Sequence, residues 1–205
     1  MCSSDLGKDM RDINFSNIHT DGFEATIAFW NKSGHKTVKN VTFENVTGNP
    51  SSTAIYAKHA GVFEDVTFRD CRIEGAPIGI APPETNHLSD WTFDGGQYIS
   101  LTQPHQISSS RVENFTFNGV TFESSGSDTL VIQGDSHGRF QFINCEVNGG
   151  GLVVETADRL EMMMGRYSSL DVRNDVGSGW IRNTEITDGS LVNEAGLPTD
   201  NVEGV

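Results

Sequence analysis

Apolar and polar residues alternate in short phrases that recur along the chain. Asp12-Ile13-Asn14-Phe15-Ser16-Asn17-Ile18 returns as Asn40-Val41-Thr42-Phe43-Glu44-Asn45-Val46 and again as Asp65-Val66-Thr67-Phe68-Arg69-Asp70-Cys71. Weaker copies stand at Asp90-Trp91-Thr92-Phe93, Asn114-Phe115-Thr116-Phe117, Arg139-Phe140-Gln141-Phe142, Arg159-Leu160-Glu161-Met162 and Trp180-Ile181-Arg182-Asn183. Taking the second apolar residue of each phrase as a marker (Phe15, Phe43, Phe68, Phe93, Phe117, Phe142, Met162, Ile181) gives spacings of 28, 25, 25, 24, 25, 20 and 19 residues. A unit of that length cannot bury its apolar face alone, so its repetition predicts a solenoid.

The phrase Val-Thr-Phe alternates with period two and is β-branched and aromatic, which predicts a strand with one buried face and excludes helix. Two residues after the marker stands Asn17, Asn45, Asp70, Gly95, Gly119, Asn144 or Asn183, with Met164 the exception. Asn, Asp and Gly tolerate left-handed backbone angles, so this column predicts a tight bend in every rung. A short second strand follows the bend, in the inward pairs Cys71/Ile73, Val120/Phe122, Cys145/Val147 and Thr184/Ile186. A third strand closes the turn with Ile27/Phe29, Ile55/Ala57, Ile78/Ile80, Leu130/Ile132, Leu152/Val154 and Leu170/Val172. The expected fold is an all-β, right-handed parallel β-helix of about eight rungs of three short strands. The Leu-x-x-Leu-x-Leu pattern of leucine-rich repeats is absent.

The pattern from about Met10 to Glu194 resembles the pectin-lyase-like superfamily of β-helices, which includes pectate and alginate lyases, polygalacturonases, epimerases and phage tailspikes. Val38-Lys39-Asn40-Val41-Thr42-Phe43-Glu44-Asn45-Val46-Thr47 resembles the later coils of the polygalacturonase family. The resemblance implies that the third strand forms the sheet whose outer face carries a substrate groove. The polygalacturonase signatures Asn-Thr-Asp, Asp-Asp, Gly-His-Gly and Arg-Ile-Lys are missing, Ser136-His137-Gly138 matching only in part. The phrase therefore specifies fold better than activity.

Met1-Cys2-Ser3-Ser4-Asp5-Leu6 does not fit the repeat, and it is what the sequencing-adapter nucleotides GTG TGC TCT TCC GAT CT would encode with GTG as start codon. The expected organisation is a non-native leader over 1–6, a single β-helix domain over 7–194 truncated at its N-terminus, and a polar tail over 195–205. No apolar run is long enough to span a membrane. A net charge of −14, with five Lys and nine Arg, argues against nucleic acid as partner. Cys71 and Cys145 share a column three rungs apart, roughly 14 Å at the inter-strand repeat, which predicts buried thiols and no disulfide.

Projecting the third strand outward gives one column of Ala28, Tyr56, Gly79, Thr102, Val131, Val153, Asp171 and Val192, and a second of Trp30, Lys58, Ala81, Pro104, Gln133, Glu155, Arg173 and Glu194. Trp30, Tyr56, Lys58 and His59 combine flat aromatic faces with charged tips and form the candidate subsite for an acidic sugar. Lys58, His59 and His105 are candidate bases for a lyase. Glu155 and Asp171 on neighbouring rungs, or Glu155 and Glu194 two rungs and roughly 10 Å apart, are the candidate carboxyl pairs for a hydrolase. No cofactor is required; Ca²⁺ would suit a lyase, but no Gly-Gly-x-Gly-x-Asp series or other metal motif supports it. The expected function is binding of an acidic, pectin- or alginate-like polysaccharide outside the cell or at its surface, as part of a lyase or hydrolase. The alternative is a non-catalytic tailspike or adhesin module, which would be a homotrimer.

Overall fold

The repeated phrase stacks directly on itself. In the computed structural model, which describes residues 9–29, 37–57, 62–80, 87–108, 112–134 and 138–204, parallel pairing sets Phe15 beside Phe43 and continues through Phe68, Phe93, Phe117, Phe142, Met162 and Ile181. All of these but Phe15, which is partly buried, lie in the core. The six phenylalanine rings stack with centroids 4.6–5.4 Å apart and interplanar angles of 10–28°. That separation matches the inter-strand repeat of about 4.8 Å, so hydrogen bonding and ring stacking are satisfied by one translation. Each stacked pair adds about 0.5–1.5 kcal/mol beyond its buried area.

The described residues hold twenty-two strands and no helix, and they build a parallel β-solenoid. About six turns have three separate strands each, fewer than the eight rungs the spacing suggests. The reason lies in the short repeats. Where the marker spacing falls to 19 or 20 residues, no residues are left for connections, and strands run through the corners. Arg166–Val176 serves as second and third strand together, and Gly179–Asn193 runs through all three positions. The segment read as a polar tail includes a strand. Thr199–Glu203 adds a further phrase strand, pairing Thr199 with Ile181 and Asp200 with Arg182, while Leu197 is buried beneath it.

The bend column takes the backbone angles its residue types allow. Asn17, Asn45, Asp70, Gly95, Gly119, Asn144, Met164, Asn183 and Asn201 all have φ between 49° and 69°. A second left-handed column, not anticipated from the sequence, lies three residues before the marker at Asp12, Asn40, Asp65, Asp90 and Asn114, with φ of 52–57°. It kinks the long phrase strands and makes Val38, Phe63, Leu88 and Val112 an extra layer against the core. Side chains in both columns bond between rungs, Asn40 Nδ2 to Asp12 Oδ1 at 2.6 Å and Asn45 Nδ2 to Asn17 Oδ1 at 2.6 Å.

Met164 alone in the bend column lacks the chemistry for it, and the residue is 50% exposed. A left-handed non-glycine residue costs about 1–2 kcal/mol. Met164→Gly and Met164→Asn should therefore raise stability by about 1 kcal/mol, measured as a higher urea midpoint. A lowered midpoint in both variants would show that packing of the methionine chain outweighs the backbone strain.

Candidate functional site

The outward column of the third strand decides what the solenoid presents to a ligand. Pairing sets Ala28, Tyr56, Gly79, Gln106, Val131, Val153, Asp171 and Val192 in one line. Gln106 takes the place expected for Thr102. Pro104 has no N–H to give the ladder, so the strand starts at His105, whose N–H donates to Thr129 O at 2.8 Å. Leu101–Pro104 is thereby left over as a loop, held by Leu101 N–H on Gly75 O and by Ser125 Oγ on Leu101 O.

That loop forms one wall of an open groove of about 490 Å³, within the size range of ligand sites. Thr102, Gln103 and Pro104 face Ser51, Ser52 and Thr53 across a floor of Pro77, Ile78, Gly79 and Gln106, with Tyr56 beside it. Every described lining side chain is uncharged. The groove can donate and accept hydrogen bonds through hydroxyls and amides and can offer a ring face, but its described lining holds no acid or base.

Of the residues predicted for the site, Tyr56 lines the groove. Trp30, Lys58 and His59 lie outside the described residues. His105 does not belong to the surface. It occupies the inward column between Ile78 and Leu130 and is fully buried. Its Nδ1 accepts from Ile78 N–H at 3.0 Å, and its Nε2 lies 3.1 Å from both Tyr98 O and Glu123 O, which assigns the proton to Nε2. Rather than a base, His105 is a staple that ties the groove floor at Ile78 to the strand carrying Gln106. Burial pushes its pKa down to about 4, against the opposing pull of the Glu123 and Tyr98 carbonyls.

The candidate carboxyls Asp171 and Glu155 stand in different surroundings. Asp171 stands opposite Val153 and is held by Arg173 Nη2 at 2.6 Å, its Oδ1 buried without a hydrogen-bond partner among the described residues. Glu155 is exposed and falls at the register shift between Val154 and Thr156. Cys71 and Cys145 are buried free thiols, raised by burial, Cys145 to about 11, and are inert. Among the described residues no cluster of His, Cys, Asp or Glu is arranged to hold a metal ion.

One charged cluster escaped the sequence reading. Glu161, on the outer face of the phrase sheet, has a side chain only 5% exposed. Its Oε2 accepts from Arg139 Nε at 2.9 Å and Gln141 Nε2 at 2.6 Å, and its Oε1 from Arg159 Nε at 2.7 Å. Burial alone would raise its pKa, but the Arg139, Arg159 and Gln141 hydrogen bonds outweigh that and hold it below the usual value. The signal was present: arginines replace Asp or Asn three residues before the marker in these two short rungs. With its oxygens occupied, Glu161 is structural.

The buried His105 gives stability a pH dependence of known sign. Its folded pKa of about 4 lies below the unfolded value near 6.5, so the unfolded chain takes the proton first as pH falls. The contribution is complete above pH 6.5 and is lost on descending to 4, by about 1.4 kcal/mol per unit and roughly 3 kcal/mol in all. Denaturation midpoints from pH 7 to 5 should fall in the native chain and fall less in His105→Leu; parallel slopes would refute the assignment.

No protein-family model, curated protein or solved structure matches this chain, and the functional argument therefore rests on the chemistry of the groove.

Proposed function

We propose that this protein is a polysaccharide-binding β-helix whose binding face is the outer surface of the third-strand sheet around Tyr56, Gly79 and Gln106. One observation carries the reading: a ligand-sized groove on that face, lined by hydroxyl, amide and aromatic groups. A polysaccharide is a linear series of hydroxyl-bearing rings. It needs partners that donate and accept neutrally, a flat apolar face for the ring, and a surface that continues in one direction. A solenoid supplies the last by construction, because each rung repeats the strand beneath it. The reading implies a location outside the cell or on its surface, where such polymers are met.

Hydrolysis of a glycosidic bond requires two carboxyl groups across the scissile bond, and none lies among the described lining residues. Binding is accordingly the activity the groove supports. A lyase acting on an acidic glycan is the second reading, because Lys58 and His59 follow directly on the Thr53–Ala57 strand that carries Tyr56. One of them would be its base.

Affinity for a panel of soluble polysaccharides, measured by titration calorimetry, tests the location of the site. Tyr56→Ala and Trp30→Ala should each weaken binding, by about 1–3 kcal/mol where a ring stacks on the sugar as it does on a base. Under the lyase reading alone, Lys58→Ala should weaken binding of polygalacturonate or alginate. Glu155→Gln and Glu194→Gln should bind like the native chain; the opposite ranking would move the site to the short rungs and favour a paired-carboxyl hydrolase.

A further inference from the structure

We infer that Gly79 sets which glycan enters the groove, and that the sugar seated over it is uncharged. The inference rests on the polysaccharide-binding reading and adds to it a specificity-determining residue and a ligand class.

Gly79 occupies a strand, paired on one side with Tyr56 and on the other with Gln106. Its backbone does not require glycine. Gly75, Gly96, Gly149 and Gly151 have φ of 94–116° and would each place a Cβ within 2.6 Å of another atom. Gly79 has no positive φ, and a Cβ there would meet only the Thr53 Cγ2 methyl, at 3.2 Å. A threonine methyl can yield a few tenths of an ångström. Glycine inside a strand also gives up packing and chain entropy, and it marks places where another molecule approaches the backbone.

What glycine supplies at this position is space. Tyr56 and Gln106 stand two rungs apart, roughly 10 Å, with only backbone between them. The Leu101–Pro104 loop puts Thr102 and Gln103 within the same lining. A sugar ring lowered into this notch meets the Tyr56 ring on one side, the Gln106 amide on the other and the loop's hydroxyl and amide. No described lining residue is a cation that could neutralise a uronate carboxylate or a sulfate, and the chain as a whole carries a charge of −14. A charged sugar in the notch would lose water without gaining a counter-charge from the described lining, and the field of the net negative chain would oppose its approach. A neutral sugar meets neither penalty.

The test compares the native chain with Gly79→Ala, Gly79→Val and Tyr56→Ala. Each is titrated with neutral polysaccharides (xylan, β-glucan, galactan) and acidic ones (polygalacturonate, alginate), and its thermal midpoint is recorded. The native chain should bind a neutral polymer, with affinity nearly independent of salt. Gly79→Val should lower that affinity by about tenfold or more and Gly79→Ala by less, both with thermal midpoints equal to or above the native one. Should the valine variant fold poorly, Gly79→Ala carries the comparison. Native affinity in the Gly79 variants, with loss in Tyr56→Ala, overturns the role of Gly79 and leaves the binding reading intact. Binding confined to the acidic polymers overturns the ligand class alone. Failure to bind any polysaccharide overturns the binding reading and this inference with it.

Discussion

Superposition of one rung on the next governs everything else in this molecule. The strand repeat of about 4.8 Å is also close to the stacking distance of aromatic rings, and the Phe15–Phe142 ladder uses both with centroids 4.6–5.4 Å apart. A residue that breaks the ladder must break hydrogen bonds above and below it. The bends obey the same constraint, since a left-handed residue in one rung stacks on a left-handed residue in the next. Variation is thus confined to the outward side chains and the connections between strands.

Connection length is where the solenoid acquires a site. In the repeats of 24–28 residues the corners have residues to spare, and Leu101–Pro104 is one such excess, lifted off the sheet because Pro104 cannot join the ladder. In the repeats of 19 or 20 the corners close and strands merge. The groove is therefore a product of rung length as much as of the residues that line it. His105 links the two halves of that arrangement, because the same buried ring bonds the floor at Ile78 and anchors the strand that ends the loop.

Surface charge follows the stack as well. The outward columns set acids beside bases on neighbouring rungs. Arg69 lies near both Glu44 and Asp94, at 3.9 and 3.7 Å, while Lys39 bridges Glu64 and Asp65. These half-exposed pairs each contribute little to stability. Glu161 is the exception, since two arginines in register would repel if its carboxylate were not between them.

The period, the strand phrase, the marker column and the Asn bend were legible in the sequence, because alternation and left-handed residue types are local properties that each rung repeats. The kink at Asp12, Asn40, Asp65, Asp90 and Asn114 was equally visible in the phrase, yet it passed unrecognised, since a single Asp or Asn before a strand also reads as a turn. Only the tertiary structure decided the rest. Period-two alternation does not say which four residues between Leu101 and Ser108 pair with the neighbouring rungs, and that choice placed Gln106 outward and turned His105 into the core. A histidine is found on either side of a protein surface, so hydropathy could not assign it; the acceptor carbonyls of Tyr98 and Glu123 and the Ile78 N–H did. The groove is further still from the sequence, because it is made by three separated segments that meet only when the rungs are stacked.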